Sequence, residues 1–318
     1  MNIINNFKFR MFVYRCLLPM VFVCDWLVDH IGMHNGEKRL KRLPDDCADT
    51  ILTDMIKSKK PFAFVRYGHT EFCCMQKVGR QKYWRDILGI HPNIYSQWED
   101  LYWKESKQID ILAVWNYRVS YPSKLRLVRK LPNIKYFFSL KFQTYPFGKR
   151  WLKTLEGKKV LVINPFVASI KAQYKKRELI GILPKFKKLD IIKPVFVYYR
   201  QEDEFDWFGA LEGMKEKVKS RDFDIALIGC GAYGLPLATY IKQLGKQAIH
   251  LGGATQLYFG IKGKRWIEDP LYKNVFNEHW IFPLEEGTGR LCLYNKKIFI
   301  GALFSCLCGI CSRRYFVI

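Results

Sequence analysis

Through the middle of the chain, short β-branched runs alternate with stretches whose apolar positions recur every three or four residues. The runs are "PFAFVRYG" (61–68), "DILAVW" (110–115), "KKVLVINPF" (158–166), "KPVFVYY" (193–199), "FDIALIG" (223–229) and "KQAIHLGG" (246–253). Between them, "ADTILTDMIKSKKP" places Ile51, Leu52, Met55 and Ile56 at helical spacing. "VASIKAQYKKRELIG", "FDWFGALEGMKEKVKS" and "AYGLPLATYIKQLG" read the same way, with Asp206 as an N-cap and Gly245 as a stop. Strands of near-continuous apolar character are buried on both faces, and strand–helix alternation gives parallel pairing. The expectation is an α/β fold: a Rossmann-like, mostly parallel sheet with helices on both faces, in a single main domain. Its crossovers should be right-handed. Without an internal repeat or a Gly/Ser linker, the chain divides into an apolar and basic N-terminal arm (1–40), an α/β catalytic domain (41–286) and an apolar, Cys-rich C-terminal tail (287–318).

The two ends change that picture. Residues 11–32, "MFVYRCLLPMVFVCDWLVDHIG", are apolar but broken by Arg15, Asp25 and Asp29. The uncharged run from Cys16 to Cys24 is too short to span hydrocarbon. It also lacks a small-residue cleavage site. Lys8, Arg10 and Arg15 beside Trp26 suit a helix lying in the membrane interface, and a core helix packed on the domain is the other reading. The end of the chain, "IFIGALFSCLCGICSRRYFVI", opens with about fourteen uncharged residues, also short for a span, before Arg313 and Arg314.

Charge adds a preference for anions. The 318 residues carry 53 Lys and Arg against 29 Asp and Glu, a formal net charge of +24. Such a field favours anionic lipid, phosphorylated substrates or nucleic acid. No RNA-recognition signature, zinc-finger spacing or basic region followed by heptads is present, so no nucleic-acid partner is expected. Apolar residues make up 49% of the chain, enough for a large core and against disorder. Ten cysteines, two of them adjacent at Cys73 and Cys74, fit reduced thiols in the cytoplasm better than a disulfide framework. Cys308 and Cys311, with Cys292 and Cys306 nearby, would make a zinc site only if all four came into tetrahedral reach.

The candidate chemistry begins with "LIGCGAYGLP" at 227–236, where Gly229, Gly231 and Gly234 form G-x-G-x-x-G. In a dinucleotide fold this loop follows the first strand, and an acidic residue about twenty positions on holds the ribose. Here it follows the fifth run, and the next run ends in His250, Leu251, Gly252 and Gly253 with no acid. A nicotinamide-linked oxidoreductase is therefore the weakest reading. Backbone amides at a helix start still attract an anion, and a diphosphate is the natural guest. Close helix–sheet packing is the alternative use of those glycines.

Two stretches together resemble the GT-D type glycosyltransferases of bacterial cell-surface polysaccharide and glycan biosynthesis. They are "FVRYGHTEF" (64–72) and the segment from "DIALIGCGAYG" to "GKRW" (224–266). The family carries Arg-x-Gly-Asp-Gly-Glu after an early strand. Arg66, Gly68 and Glu71 match it, whereas His69 stands in place of Asp and Thr70 in place of Gly. The resemblance implies a nucleotide-sugar donor held by Arg66, Gly68, Gly229, Gly231, Gly234, His250, Gly252, Gly253, Thr255 and Gln256. It implies Glu71 as a catalytic residue and as a ligand to a divalent cation, Mn²⁺ or Mg²⁺, held less firmly for want of the second carboxylate; His69, which departs from the family, is a second catalytic candidate by its chemistry and its place in the same loop.

Chemically, Arg66 is a bidentate donor suited to phosphate, Glu71 is a base for an acceptor hydroxyl, and Thr255 and Gln256 can bond sugar or base. If the early loop is extended, the side chains of residues 69 and 71 point to one side. Weaker candidates are Asn164, the run Lys262, Lys264, Arg265, and the acidic stretch Glu202, Asp203, Glu204. The expected protein transfers sugar to a surface-polysaccharide or lipid-linked glycan acceptor, at the cytoplasmic face of an anionic membrane. Its rival is a non-catalytic family member that binds a nucleotide-sugar or polyanion.

Overall fold

The computed structural model describes residues 23, 41–42, 47–75, 84–113, 130–131, 134–137, 149–195, 206–267, 272 and 274–285. Within them eight strands form one sheet: β1 (Lys41–Arg42), β2 (Phe62–Arg66), β3 (Ile111–Ala113), β4 (Lys135–Phe137), β5 (Lys159–Ile163), β6 (Lys188–Ile192), β7 (Ile225–Ile228) and β8 (Gln247–His250). Their order is β1-β4-β3-β2-β8-β7-β5-β6, and every pairing is parallel. The parallel α/β expectation is met.

The helices are α1 (Ala48–Lys57), α2 (His69–Met75), α3 (Tyr95–Ser106), α4 (Arg150–Lys153), α5 (Val167–Lys175), α6 (Arg177–Ile180), α7 (Trp207–Lys219), α8 (Gly234–Gln243), α9 (Thr255–Tyr258) and α10 (Lys264–Ile267). Alternation along each strand divides the core in two. Ala63, Val65, Ala226 and Ile228 pack with α2, α3, α7 and α8. Phe62, Phe64, Ile225 and Leu227 pack with α1, α4, α5, α9 and α10. Both faces of the central strands are therefore dry, as their uninterrupted apolar sequences require.

Local signals fall where chemistry places them. The Asp206 carboxylate accepts from the Gly209 amide at 2.7 Å and caps α7. Gly245, with φ +77°, ends the turn after α8. The sheet departs from expectation at "KPVFVYY". The strand lies upstream, in "KLDII" of β6, while 193–195 are outside any strand and 196–199 outside the described residues. β6 is an edge strand paired only with β5, so it tolerates exposed Lys188 and half-buried Asp190, and Pro194 has no amide to give a ladder. The pattern also passed over α3, whose aromatic residues Trp98, Tyr102 and Trp103 are buried among charged neighbours. β1 and β4, of two and three residues, are too short for periodicity to register.

The N-terminal arm, position 23 apart, the C-terminal tail with its four cysteines, and Glu202, Asp203 and Glu204 lie outside the described residues. Among those described, no helix is long and apolar enough to cross a membrane.

Candidate functional site

β2 and β8 are neighbours, yet the chain leaves them on opposite faces. After β2 it enters α2 and α3 in the first layer; after β8 it enters α9 and α10 in the second. The loops part there, leaving a crevice beyond the carboxyl ends of the strands, which is where open α/β sheets bind ligands.

The loop from β2 supplies Arg66, Tyr67 and Gly68 before α2 begins. The Phe72 amide donates to Gly68 O at 3.0 Å, so Gly68 is the residue on which the helix starts. The Glu71 carboxylate folds back over Gly68, and a Cβ at that position would overlap it. Burial raises the Glu71 pKa; its own backbone amide and then the Arg66 cation oppose the rise. Cys230, Cys74 and Tyr102 are each pushed up chiefly by burial and next by the Glu71 charge. Tyr102 in turn donates its hydroxyl to Ala232 O in the glycine turn, and Ser106 Oγ links Tyr67 to the Tyr102 carbonyl, at 2.5 and 2.6 Å.

One expectation fails in this loop. His69 and Glu71 sit on α2, not on an extended segment, and an α-helix turns by about 200° over two residues. The extended backbone on which that expectation was conditioned is not what forms here. Sequence gave Tyr102 no signal, because its role exists only through contact with a turn 130 residues away.

The three glycines of the second loop do different jobs. A Cβ on Gly229 would stand 2.5 Å from Asn164 Nδ2 and 2.8 Å from both Gly252 O and Thr255 Oγ1. On Gly234 it would overlap the ring of His250. Those two glycines answer to packing. Gly231 has φ +59° and open space where a side chain would point, so it is needed for backbone shape at an uncovered turn. Behind the turn, Tyr233 stacks on Trp207 at 4.5 Å between ring centroids.

His250 ends β8 and is buried. Its Nδ1–H donates to Ile228 O at 3.1 Å, which leaves Nε2 the unprotonated nitrogen of a neutral ring. Burial, and the Arg66 charge against the backbone bond, lower its pKa to about 4. Arg66 crosses the crevice: Nη1 donates to Leu251 O at 3.2 Å, and a Cβ on Gly252 would run into the same nitrogen. Arg66 is thus a strap between β2 and the β8 loop as well as a cation. Gly253 is half-buried in the short turn that follows.

Two further candidates are engaged within the fold. Thr255 is fully buried, and its hydroxyl faces Gly252 O at 2.8 Å and Ile228 O at 3.0 Å. The Gln256 amide donates to Ile261 O and Lys262 O, at 3.2 and 3.0 Å. Both hydrogen-bond backbone carbonyls, because a reversing loop buries carbonyls that need donors. Asn164 does similar work, its Oδ1 accepting from the Phe166 amide at 3.0 Å. Among the described residues, no three His, Cys, Asp or Glu side chains gather round one point. Glu71 with neighbouring carbonyls is a thin donor set for Mn²⁺ or Mg²⁺, which take several oxygens.

Fold and site define a doubly wound α/β protein with an anion-compatible crevice where the chain reverses direction across the sheet. The chain is similar to two solved structures. A glycosyltransferase (DUF1792) from Streptococcus sanguinis matches with a TM-score of 0.43 and 13% identity, over 79% of this chain and 97% of that one. A domain of unknown function 1792 matches with a TM-score of 0.41 and 15% identity, over 69% and 80%. No protein-family model matches the sequence, and no curated protein does.

Proposed function

We propose that the chain is a glycosyltransferase that moves a sugar from a nucleotide-sugar to a glycan or lipid-linked acceptor. The observation that carries this reading is the meeting of Arg66, Glu71 and the uncovered Gly231 turn at one crevice. A diphosphate beside Arg66 and the Gly231 turn would have its leaving charge stabilised by a guanidinium and by backbone amides. The acceptor hydroxyl gives its proton to the Glu71 carboxylate as its oxygen bonds the anomeric carbon. The bond from that carbon to the diphosphate breaks, and the nucleoside diphosphate departs with the electron pair. A raised pKa suits Glu71 to that role, since a stronger base takes the proton more readily. No step here runs through a metal ion.

The nicotinamide alternative finds no support at this site, since the glycine turn follows β7 and β8 ends in neutral His250. A binding protein without turnover is favoured by one feature, the engagement of Arg66 with Leu251 O. Thermal shift across a panel of nucleotide-sugars, followed by hydrolysis of any stabilising donor with and without Mn²⁺, separates the readings. Stabilisation with hydrolysis or transfer supports the enzyme. Stabilisation without turnover leaves the binder. Stabilisation by NADH alone overturns both. Gly231→Val should remove the donor shift, because its side chain fills the space beside the turn.

A further inference from the structure

The outer surface of the second helical layer is unlike the rest of the described surface. Apart from the residue at position 23, every exposed large hydrophobic side chain among the described residues lies there: Leu179 (54%), Ile267 (44%), Phe282 (59%) and Leu284 (58%). The last two ride on a strap, residues 277–285, bound along α5. Asn277 donates to Leu179 O at 3.3 Å, and Lys262 N to Ile281 O at 2.7 Å. At its far end, Glu285 accepts from the Ser169 amide at 3.0 Å and the Ser169 hydroxyl at 2.5 Å, while Leu284 N donates to that hydroxyl at 2.9 Å. Phe282 and Leu284 are held outward by a strap whose polar groups are satisfied inward.

Cations accompany them. Lys171, Lys175 and Lys176 are exposed on α5 and just beyond it, and Lys262 Nζ lies 6.0 Å from the Phe282 ring centre. The acids of this surface are largely answered within the fold: Glu285 at the start of α5, Glu178 by Arg177 at 2.5 Å, Glu278 beside His279 at 3.4 Å. Exposed apolar side chains ringed by lysines match an anionic lipid interface, where rings enter the acyl boundary and lysines meet headgroups. A chain with net charge +24 adds attraction of the same sign.

We propose that this surface, built from α5, α6, α10 and the 277–285 strap, docks on an anionic lipid bilayer. Because α5 starts beyond β5, at the carboxyl edge of the sheet, docking would set the crevice beside the membrane. The proposal stands on surface chemistry and does not depend on sugar transfer.

The test uses the full chain and mixed phosphatidylcholine–phosphatidylglycerol vesicles, with pure phosphatidylcholine as reference. Lys171→Glu with Lys175→Glu is compared with Lys217→Glu with Lys219→Glu. Both pairs are exposed and change net charge equally, but Lys217 and Lys219 lie on α7 in the opposite layer. The first pair should weaken binding to anionic vesicles about tenfold or more, and the second far less. Hydrogen exchange on vesicles should slow in 171–179 and 277–285. Phe282→Ser with Leu284→Ser should weaken binding while leaving the melting temperature unchanged, since both side chains are exposed. Equal loss from the two charge pairs would mean a diffuse field and would overturn the proposal. So would vesicle binding without protection of 277–285, or self-association in solution that Leu284→Ser abolishes.

Discussion

Replacing Gly234 with alanine should destabilise the fold, although alanine is the better helix former. In an exposed helix the change gains about 1 kcal/mol. Here the added methyl lands on the ring of His250, nearer than the 3.0 Å that real Cβ atoms respect to Cε1, Nδ1 and Nε2 alike. The ring has little room to retreat: it is 4% exposed and tied through Nδ1 to Ile228 O at 3.1 Å. Overpacking of this kind costs about 1–3 kcal/mol, and pulling the ring N–H from its buried acceptor adds about 1–3. After the helix-propensity gain the expected net loss is about 3 kcal/mol. Two controls calibrate it. Gly213 is exposed within α7 with nothing within 4 Å, so Gly213→Ala should stabilise by about 0.5–1 kcal/mol. Gly231→Ala meets no neighbour but must hold φ +59°, so a loss of about 1 kcal/mol is expected from backbone strain alone. Urea denaturation followed by tryptophan fluorescence reads all three, as midpoint shifts at constant slope. Combining Gly234→Ala with His250→Ala should remove most of the first penalty, because the two side chains compete for one space. A Gly234→Ala protein as stable as Gly213→Ala would refute the reasoning.

Three other outcomes are expected. His250 is held neutral, with a pKa lowered from 6.5 to about 4, so the stability it confers is present above pH 6.5 and lost as pH falls toward 4; the full loss is about 3 kcal/mol, and His250→Asn, which keeps a donor for Ile228 O, should flatten that acid limb in pH-dependent melts. Glu71 has the opposite sign: its folded pKa is raised, so its contribution is greatest at low pH and declines as pH rises through that value, and Glu71→Gln should compare more favourably with the parent at pH 8 than at pH 4 while abolishing transfer. Arg66→Lys should weaken donor binding by about tenfold or more and also lower stability, because an ammonium cannot hold Leu251 O and an anion in one planar fork; donor titration and melting of the same sample check both.

The sheet was legible wherever burial on both faces forces a strand to be apolar throughout. β2, β5, β7 and β8 each lie inside a run picked out by pattern, because their central positions are apolar on both faces and the buried polar residues, Gln247 and His250, stand at the ends of β8 where backbone carbonyls pair them. β6 escaped because an edge strand obeys a weaker rule, and the stronger β-branched run beside it drew the assignment. α3 escaped because Trp98, Tyr102 and Trp103 have the bulk of strand residues, and only packing against α2 and α8 turns them into a helix face.

The site was legible as a place rather than as a set of roles. Gly229, Gly234, Thr255 and His250 are separated in sequence but share one knot of contacts, so their spacing reports mutual packing as much as ligand binding. A glycine required by a neighbour's ring and one required by backbone shape look identical in a sequence. Only a hypothetical Cβ placed on each separates them: it strikes His250 from Gly234 and meets open space from Gly231. That distinction moves the weight of the anion-binding argument from three glycines to one. It also makes the open side of Gly231 the position where blocking the backbone should most cleanly separate ligand binding from folding. Gly231→Ala should lose donor stabilisation at a cost of only about 1 kcal/mol in stability, and Gly234→Ala should lose stability first. If both variants failed in the same assay and to the same degree, the turn would be a packing motif alone, and the search for the anion would shift to Arg66 and the loop that follows β2.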